Sequence, residues 1–372
     1  MKNVFGSARS RLATSLFMIC AALFAAGNTP AQTKGSNPSP PDNKTWQFAF
    51  SGDSRNCGDI VMPTIANDIS KTNAAFYWHL GDLRWMTNID QDIQQRPGAQ
   101  VMTLLQYQGL AWQDFIENQV NAFRVPFILG IGNHELAGGK TRNDFLVQFA
   151  DWVNSPAIQA QRLADDPNDH KIQSYYHWQQ GGVEFIYLDN SSNDQFDETQ
   201  LNWFNNVVGK AEANAQIRTI IVGMHEALPD SIASNHSMNG IESGRKVYKR
   251  LLDAKNKANK MVYILASHSH YLLEDIFNTD YWRANGGVLP GWIVGTSGAE
   301  RYALPEARDK TKIGRTHVYG YMLVTVNPSG EPAGGVKFDF HEVKEADVLP
   351  DIKSKFGAEL THWCFENNPK AK

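Results

Sequence analysis

The sequence contains few cysteines, no excess of basic residues and no serine-nucleophile motif. Three cysteines among 372 residues allow at most one disulfide bond. The formal net charge of −4 gives no support to a nucleic-acid-binding surface, and we expect no nucleic-acid partner. No Gly-x-Ser-x-Gly sequence occurs, which argues against a serine hydrolase of the α/β-hydrolase type. We therefore expect any catalytic site in this protein to use a different chemistry.

Only one long apolar segment occurs, and it lies near the N-terminus. Residues 12–26 follow three basic residues and precede the small-residue sequence 29–31, which is typical of a secretory signal peptide covering residues 1–31. Its removal would take away three basic and no acidic residues and change the net charge to −7. No later segment is apolar enough for a transmembrane helix, so we expect no stable membrane anchor. The sequence predicts a secreted or periplasmic protein.

The rest of the chain is predicted to form a short leader and one domain. Residues 32–45 are rich in Pro, Ser and Asn, a composition that predicts a flexible leader. Residues 46–372 have the length of one large domain. Two cysteines, Cys57 and Cys364, remain in it. In an oxidising compartment they can form one disulfide or stay as two buried thiols, and the sequence leaves both alternatives open.

Short apolar runs alternate with helix-period segments along most of this domain. The predicted strands end in Gly, Asp, Asn or His and cover residues 46–53, 75–82, 125–135, 183–190, 218–226 and 261–270. The predicted helices cover residues 58–71, 101–123, 143–154, 197–213 and 243–258, the fourth starting at Asp197. This order is typical of an α/β fold. Three later apolar runs, 291–298, 319–327 and 335–343, predict a second and more antiparallel sheet.

A helical insertion is predicted near residues 98–123. Its apolar side chains recur at mostly helical intervals, which favours packing against the domain. The alternative is a cap over the substrate. The apolar residues are Val101, Leu104, Leu105, Trp112, Phe115, Ile116 and Phe123.

Polar residues follow five of the six predicted strands, where ligands bind in open α/β sheets. His268 and His270 are two apart, so an extended backbone would direct both rings to one side. Taken alone, His268 and His270 can be explained at least as well as ordinary surface or edge histidines as they can as metal ligands. The whole set can bind a metal ion. It comprises Asp53, Asp82, Asn133 with His134, His225, and His268 with His270.

This ordered set resembles the motifs of the calcineurin-like metallophosphoesterases over about residues 46–300. The Val-x-x-His sequence that ends at His225 is similar to the purple acid phosphatase branch. The resemblance implies an α/β fold with four layers, α/β/β/α, in which two mixed sheets are flanked by helices. It also implies two metal ions bridged by Asp82, one completed by Asn133, His225 and His268, the other by Asp53 and His270.

Nitrogen and oxygen ligands suit Fe, Mn, Zn or Co. The implied enzyme is a metal-dependent hydrolase of phosphate mono- or diesters, in which a metal-bound hydroxide attacks phosphorus in a dinuclear site. Its partner would be a small phosphorylated substrate. His134 would protonate the leaving oxygen or stabilise the transition state.

Two positions depart from the family pattern. Arg55 stands where most members have the histidine of Asp-x-His, and Trp85 stands where purple acid phosphatases have a tyrosine ligand. Neither side chain can be a ligand, so the site with Asp53 keeps three protein ligands and its ion is expected to be weakly held. Arg55 could instead hold phosphate oxygens with its planar fork, or form a structural salt bridge, and the same alternatives apply to Arg84.

The weakened site leaves a second function open. A protein with this fold could bind a phosphorylated ligand through the remaining metal without efficient catalysis. The presence of His134 and of every ligand at the other site favours the enzyme.

Overall fold

The computed structural model of the protein describes residues 44–191, 195–233, 236–306 and 313–368. The predicted signal peptide, and all of the predicted leader except its last two residues, lie outside these ranges. The described residues form two mixed β-sheets flanked by helices, which confirms the predicted fold class. The strands are β1 (Trp46–Ser51), β2 (Ala74–His79), β3 (Phe127–Leu129), β4 (Tyr176–Gln180), β5 (Val183–Leu188), β6 (Thr219–Met224), β7 (Met261–Ala266), β8 (Leu272–Glu274), β9 (Gly291–Val294), β10 (Gly314–Arg315), β11 (Tyr319–Val326) and β12 (Val336–Val343).

The two sheets divide the strands differently from the prediction. One sheet has the order β12-β11-β1-β2-β3. In it β1, β2 and β3 are parallel to one another, β11 is antiparallel to β1, and β12 is antiparallel to β11. The other has the order β10-β8-β9-β7-β6-β5-β4, with β5, β6, β7 and β9 parallel. The expectation that residues 291–298 join the same sheet as 319–327 was wrong, because β9 pairs in parallel with β7. All four residues of β9 are buried, so its sequence pattern does not indicate which neighbour it pairs with.

The main helices correspond to the predicted helical segments. Asp197 caps the helix that follows it by accepting a hydrogen bond of 2.8 Å from the backbone N–H of Gln200, as the sequence predicts. The helices are α1 (Gly58–Ile69), α2 (Gln91–Gln94), α3 (Leu104–Asn118), α4 (Arg142–Gln148), α5 (Ala150–Val153), α6 (Pro156–Asp165), α7 (Glu198–Ala213), α8 (Ile241–Ala258), α9 (Asp280–Ala284), α10 (Pro350–Phe356) and α11 (Ala358–His362).

Aromatic rings fill the space between the two sheets. Phe48 of β1 meets Phe185 of β5 edge-on, with ring centroids 5.2 Å apart. Phe76 of β2 meets Trp178 of β4 in the same way at 5.5 Å. Rings in this edge-to-face arrangement add about 0.5–1.5 kcal/mol beyond the burial of their apolar area. The sheets are therefore packed face to face, and their carboxyl-terminal edges are fixed relative to each other.

Helix α3 lies in the predicted insertion and packs mainly through its central residues. Trp112 and Phe115 are buried, as expected for a packing role. Val101, Leu104 and Leu105 are instead exposed, Leu105 by 78%, so their expected contribution to packing was wrong. They lie at the start of the segment, where the helix has not yet reached the core.

Cys57 and Cys364 form a disulfide bond that joins the start of α1 to a π-helical turn after α11. This confirms the disulfide and rules out the alternative of two buried thiols. The bond closes a separation of 307 residues. Within the described ranges, no helix has the length and apolar character needed to cross a membrane.

Candidate metal centre

The predicted polar residues lie together at the carboxyl-terminal edges of both sheets. Three of them follow β1, β2 and β3 in one sheet, and three follow β6 and β7 in the other. Parallel strands place these ends at one edge, as Asp53 and Asp82 illustrate. The six are Asp53, Asp82, Asn133, His225, His268 and His270.

Four side chains form the first group of possible ligands. Asn133 Oδ1 lies 3.0 Å from His225 Nε2 and 3.1 Å from His268 Nδ1. His225 Nε2 also lies 3.1 Å from His268 Nδ1 and 3.2 Å from Asp82 Oδ1. Donor atoms that surround one ion at 2.0–2.2 Å are themselves about 3 Å apart. The four donor atoms therefore have the spacing of a metal-binding cage.

A backbone contact fixes the orientation of His225 within this group. Its Nδ1 lies 3.0 Å from the carbonyl oxygen of Leu80, which can only accept a hydrogen bond. Nδ1 therefore carries a proton, and Nε2 faces the other three donor atoms. Metal-binding histidines are commonly oriented by such a contact.

The second group consists of Asp53, Asp82 and His270, whose ligand atoms lie within 4.8 Å of one another. Asp53 Oδ1 is 3.4 Å from His270 Nε2. Asp53 Oδ1 and Asp82 Oδ2 are buried, and neither has a hydrogen-bond partner in the part of the chain that the structure describes. Buried carboxylate oxygens without a partner are costly, which indicates that the site accepts positive charge.

The backbone is strained at three of these residues. Asp53, Asp82 and His268 have φ angles of 62°, 59° and 64°, in the left-handed region that non-glycine residues rarely adopt. Gly81, directly before Asp82, has a φ of 99°. Such residues cost about 1–3 kcal/mol each and cluster at functional sites. The sharp turns direct the side chains into the space between the sheets.

Burial and nearby charges set the protonation states of the ligands. Burial lowers the pKa of His268 and of His270 well below the ordinary value, so both rings are neutral and keep a lone pair. Burial would also lower the pKa of His225, but the Asp82 carboxylate raises it to about 10. Burial would raise the pKa of Asp82, but His225 and other nearby charges hold it well below its usual range. Burial raises the pKa of Asp53 to about 7.

The protonated His225 ring and the ionised Asp82 carboxylate thus form an ion pair, with the proton on His225 Nε2 facing Asp82 Oδ1. A metal ion competes with that proton for the same two atoms, because metal ligands must be deprotonated.

Arg55 is buried beside the second group. Nη1 donates to His134 Nε2 at 2.7 Å, and Nη2 donates to His270 Nε2 at 3.1 Å and to the Tyr302 hydroxyl at 3.2 Å. Its guanidinium carbon lies 5.6 Å from the centre of the Trp85 ring. Within the described ranges no carboxylate oxygen lies within 4.0 Å of Arg55, so the salt-bridge alternative is wrong. Three of the five guanidinium N–H groups have protein acceptors, and Nε is buried without a hydrogen-bond partner among the residues described. Phosphate binding by Arg55 stays a prediction.

The contact with Arg55 fixes the tautomer of His134. Arginine only donates, so His134 Nε2 accepts, and the ring proton is on Nδ1. Nδ1 is buried and has no hydrogen-bond partner among the residues described. Burial lowers the pKa of His134 to about 4. The neutral ring therefore has one N–H group without a partner among the residues described, and that group is enclosed by protein.

Arg84 has a structural role. It is fully buried and pairs with four carboxylates, including Asp59 on α1 and Asp114 on α3. The ion pairs therefore tie the loop after Asp82 to the helices beside it, and the phosphate-binding alternative for Arg84 was wrong. The four partners are Asp59, Asp90, Asp92 and Asp114.

Sequence reasoning assigned no role to Glu135. It is buried and accepts hydrogen bonds from the backbone N–H groups of Asp82, Leu83 and Gly132 at 2.8–2.9 Å. It therefore links the Asp82 loop to the Asn133 loop. The sequence feature that could have indicated a role for Glu135 is its position directly after Asn133 and His134.

Sequence reasoning also missed Tyr302 and left His236 outside the site. The Tyr302 ring stacks on His270 with centroids 4.0 Å apart, and the His236 ring stacks on Tyr302 at 5.2 Å. The two rings form one wall of the site beside His268. Both residues lie in irregular segments, where no periodic pattern marks a side chain as part of a site.

The comparisons with known proteins agree with this geometry. The family model of the calcineurin-like phosphoesterases matches residues 58–272, more than half of the 372 residues. The chain therefore belongs to the calcineurin-like phosphoesterase family. The match includes Asp82 and His270 and begins after Asp53 and Arg55. A search of curated proteins gives no significant match.

Two solved structures share the fold at low sequence identity. The structure of PhoD is 14% identical, with a TM-score of 0.52 over 87% of this chain and 78% of that one. The purple acid phosphatase PPD1 from yellow lupin (Lupinus luteus) is 14% identical, with a TM-score of 0.51 over 82% of this chain and 53% of that one. These similarities show the fold.

The family implies divalent metal ions, and the two groups differ in how well they fit one. The first group fits, because its four nitrogen and oxygen atoms have suitable spacing and His225 is held in the required tautomer. The second group fits poorly, because Arg55 donates a hydrogen bond to His270 Nε2, the nitrogen that would bind the ion.

Proposed function

We propose that the protein is a secreted, metal-dependent hydrolase of phosphate mono- or diesters. The convergence of Asp82 Oδ1, Asn133 Oδ1, His225 Nε2 and His268 Nδ1 carries this proposal. Membership of the calcineurin-like phosphoesterase family supports the reaction class. The carboxylate, amide and imidazole donors suit Fe, Mn, Zn or Co.

Four side chains would hold the metal, which would polarise a phosphoryl oxygen and lower the pKa of water at the site. The chain supplies the remaining functions. Glu135 holds the Asp82 and Asn133 loops together through its three backbone contacts. His134 would donate a hydrogen bond to an oxygen atom of the substrate. This hydrogen bond stabilises the charge that develops as the ester bond breaks.

Export of the protein is part of the proposal. The apolar segment 12–26 behind three basic residues supports cleavage of a signal peptide after residue 31. The disulfide between Cys57 and Cys364 also suits an oxidising compartment. We therefore place the protein outside the cytoplasm, in the periplasm or in the medium. Mass analysis of the exported chain tests the predicted cleavage site.

The test is ester hydrolysis by the purified chain from residue 32 onwards, measured as inorganic phosphate from monoesters and as released alcohol from diesters, alongside metal content. His225→Ala and His268→Ala are expected to lose bound metal and to reduce release to background, because each removes one of four donors. His170→Ala is the matched control, since His170 is an exposed histidine outside the cage. Metal binding by the wild-type chain without hydrolysis of any monoester or diester would refute hydrolysis and favour the ligand-binding alternative.

A further inference from the structure

Arg55 lies against the place where the family resemblance puts a second ion. It follows Asp53 at the position of the missing histidine ligand, and its guanidinium contacts His270, one of the three donors left at that place. The substitution therefore has two effects. It removes a ligand, and it brings a permanent positive charge to the remaining ones.

The tautomer of His270 shows how Arg55 competes with an ion. His270 Nδ1 lies 2.5 Å from the carbonyl oxygen of Glu300, so Nδ1 carries the proton. The only lone pair of the neutral ring is therefore on Nε2, and it accepts the N–H group of Arg55 Nη2 at 3.1 Å. One lone pair cannot accept this hydrogen bond and bind a metal ion at the same time.

The guanidinium is held from several sides. His134 and His270 accept from its two terminal nitrogens, and the Tyr302 hydroxyl accepts a further bond. The Trp85 ring packs beside it. Only 5% of Arg55 is exposed. An ion on His270 Nε2 would displace the hydrogen bond from Arg55, while the remaining contacts hold the guanidinium in place.

The geometry points to Arg55 as a built-in cation that takes the place of one of the two metal ions. The chain then binds a single ion, through the donors Asp82, Asn133, His225 and His268. With neutral histidines, one divalent ion and Arg55 together carry three positive charges beside the carboxylates of Asp53, Asp82 and Glu135. Arg55 therefore supplies part of the positive charge that a second ion would bring to an anionic substrate. This inference rests on the proposed function but is tested separately, by counting ions.

The experiment measures metal stoichiometry by isothermal titration with Mn²⁺ and by elemental analysis after desalting. The wild-type chain is expected to bind one ion. Arg55→His restores the missing ligand and frees the lone pair of His270, so it is expected to bind two, and electron paramagnetic resonance should show a coupled Mn²⁺ pair. Arg55→Ala is expected to bind a second ion more weakly. Arg124→His, at an exposed arginine, is the matched control and should bind one ion.

The outcomes separate this inference from the proposed function. Two ions in the wild-type chain would overturn the role of Arg55 even if phosphate is released. A folded Arg55→His protein that still binds one ion would also overturn it. If Arg55→His does not fold, the wild-type and Arg55→Ala stoichiometries decide. One ion in the wild-type chain without hydrolysis of any monoester or diester would refute the proposed hydrolase and leave the role of Arg55 standing.

Discussion

Substitution of Gly132 by alanine tests how closely the Asp82 and Asn133 loops must approach at the site. Gly132 directly precedes Asn133, and its φ of −110° is accessible to any residue, so alanine adds no backbone strain. The added Cβ would lie 2.3 Å from Asp82 Oδ1, 2.4 Å from the Asp82 backbone nitrogen and 3.0 Å from His225 Cε1. Ordinary contacts of this kind begin at 3.4 Å. The Asp82 and Asn133 loops must therefore separate by about 1 Å, a misplacement that can lower a reaction rate about 10²-fold.

The assay compares kcat/KM for phosphate release, metal affinity and thermal unfolding in Gly132→Ala and the wild-type chain. We expect kcat/KM to fall about 10²-fold, with weaker metal binding and a loss of about 1–3 kcal/mol in the free energy of unfolding from overpacking. Gly109→Ala is the control, because Gly109 lies in α3 with no other atom within 4 Å of its added Cβ. The control should be stabilised by about 0.5–1 kcal/mol without a change in activity. Wild-type metal affinity and turnover in Gly132→Ala would refute the reasoning.

Two further substitutions test neighbouring parts of the structure. His134→Ala should lower phosphate release about 10²–10⁴-fold while metal content stays at the wild-type level, because His134 acts on substrate oxygen, and loss of metal would contradict this role. His170→Ala is again the control. Arg84→Met should reduce the free energy of unfolding by about 3–5 kcal/mol, measured by urea denaturation, since it leaves Asp59, Asp90 and Asp92 buried without a cation. An unchanged urea midpoint would contradict the structural role of Arg84.

Local sequence patterns predicted the strands and the polar residues that follow them. Asp53 and Asp82 could be placed at strand ends because each follows a short apolar run that ends in glycine. The sequence carries less information about which strands pair with each other. β9 is apolar at each position, and nothing in its four residues indicates a parallel partner in the sheet of β7 instead of an antiparallel one beside β11.

The site could be predicted only where a motif marks it. His225 and His268 belong to short spaced motifs, whereas Tyr302 reaches the site from an irregular segment more than thirty residues further on. The surroundings of Arg55 depend on loops that are distant in sequence, so its contacts with His134 and His270 could not be read from the sequence alone. The role of His270 as a metal ligand and that of His134 as a reacting group stay predictions until metal content is measured.

The ligands come from both sheets, and this links the ion to the integrity of the fold. Asp82 and Asn133 follow strands of the five-stranded sheet, whereas His225 and His268 follow strands of the seven-stranded one. A bound ion would therefore act as a cross-link between two sheets that otherwise pack together mainly through apolar side chains. At a free concentration one hundred times its Kd, such an ion adds about 2.7 kcal/mol to the stability of the native state. Resistance to unfolding would then rise and fall with the metal supply around the protein.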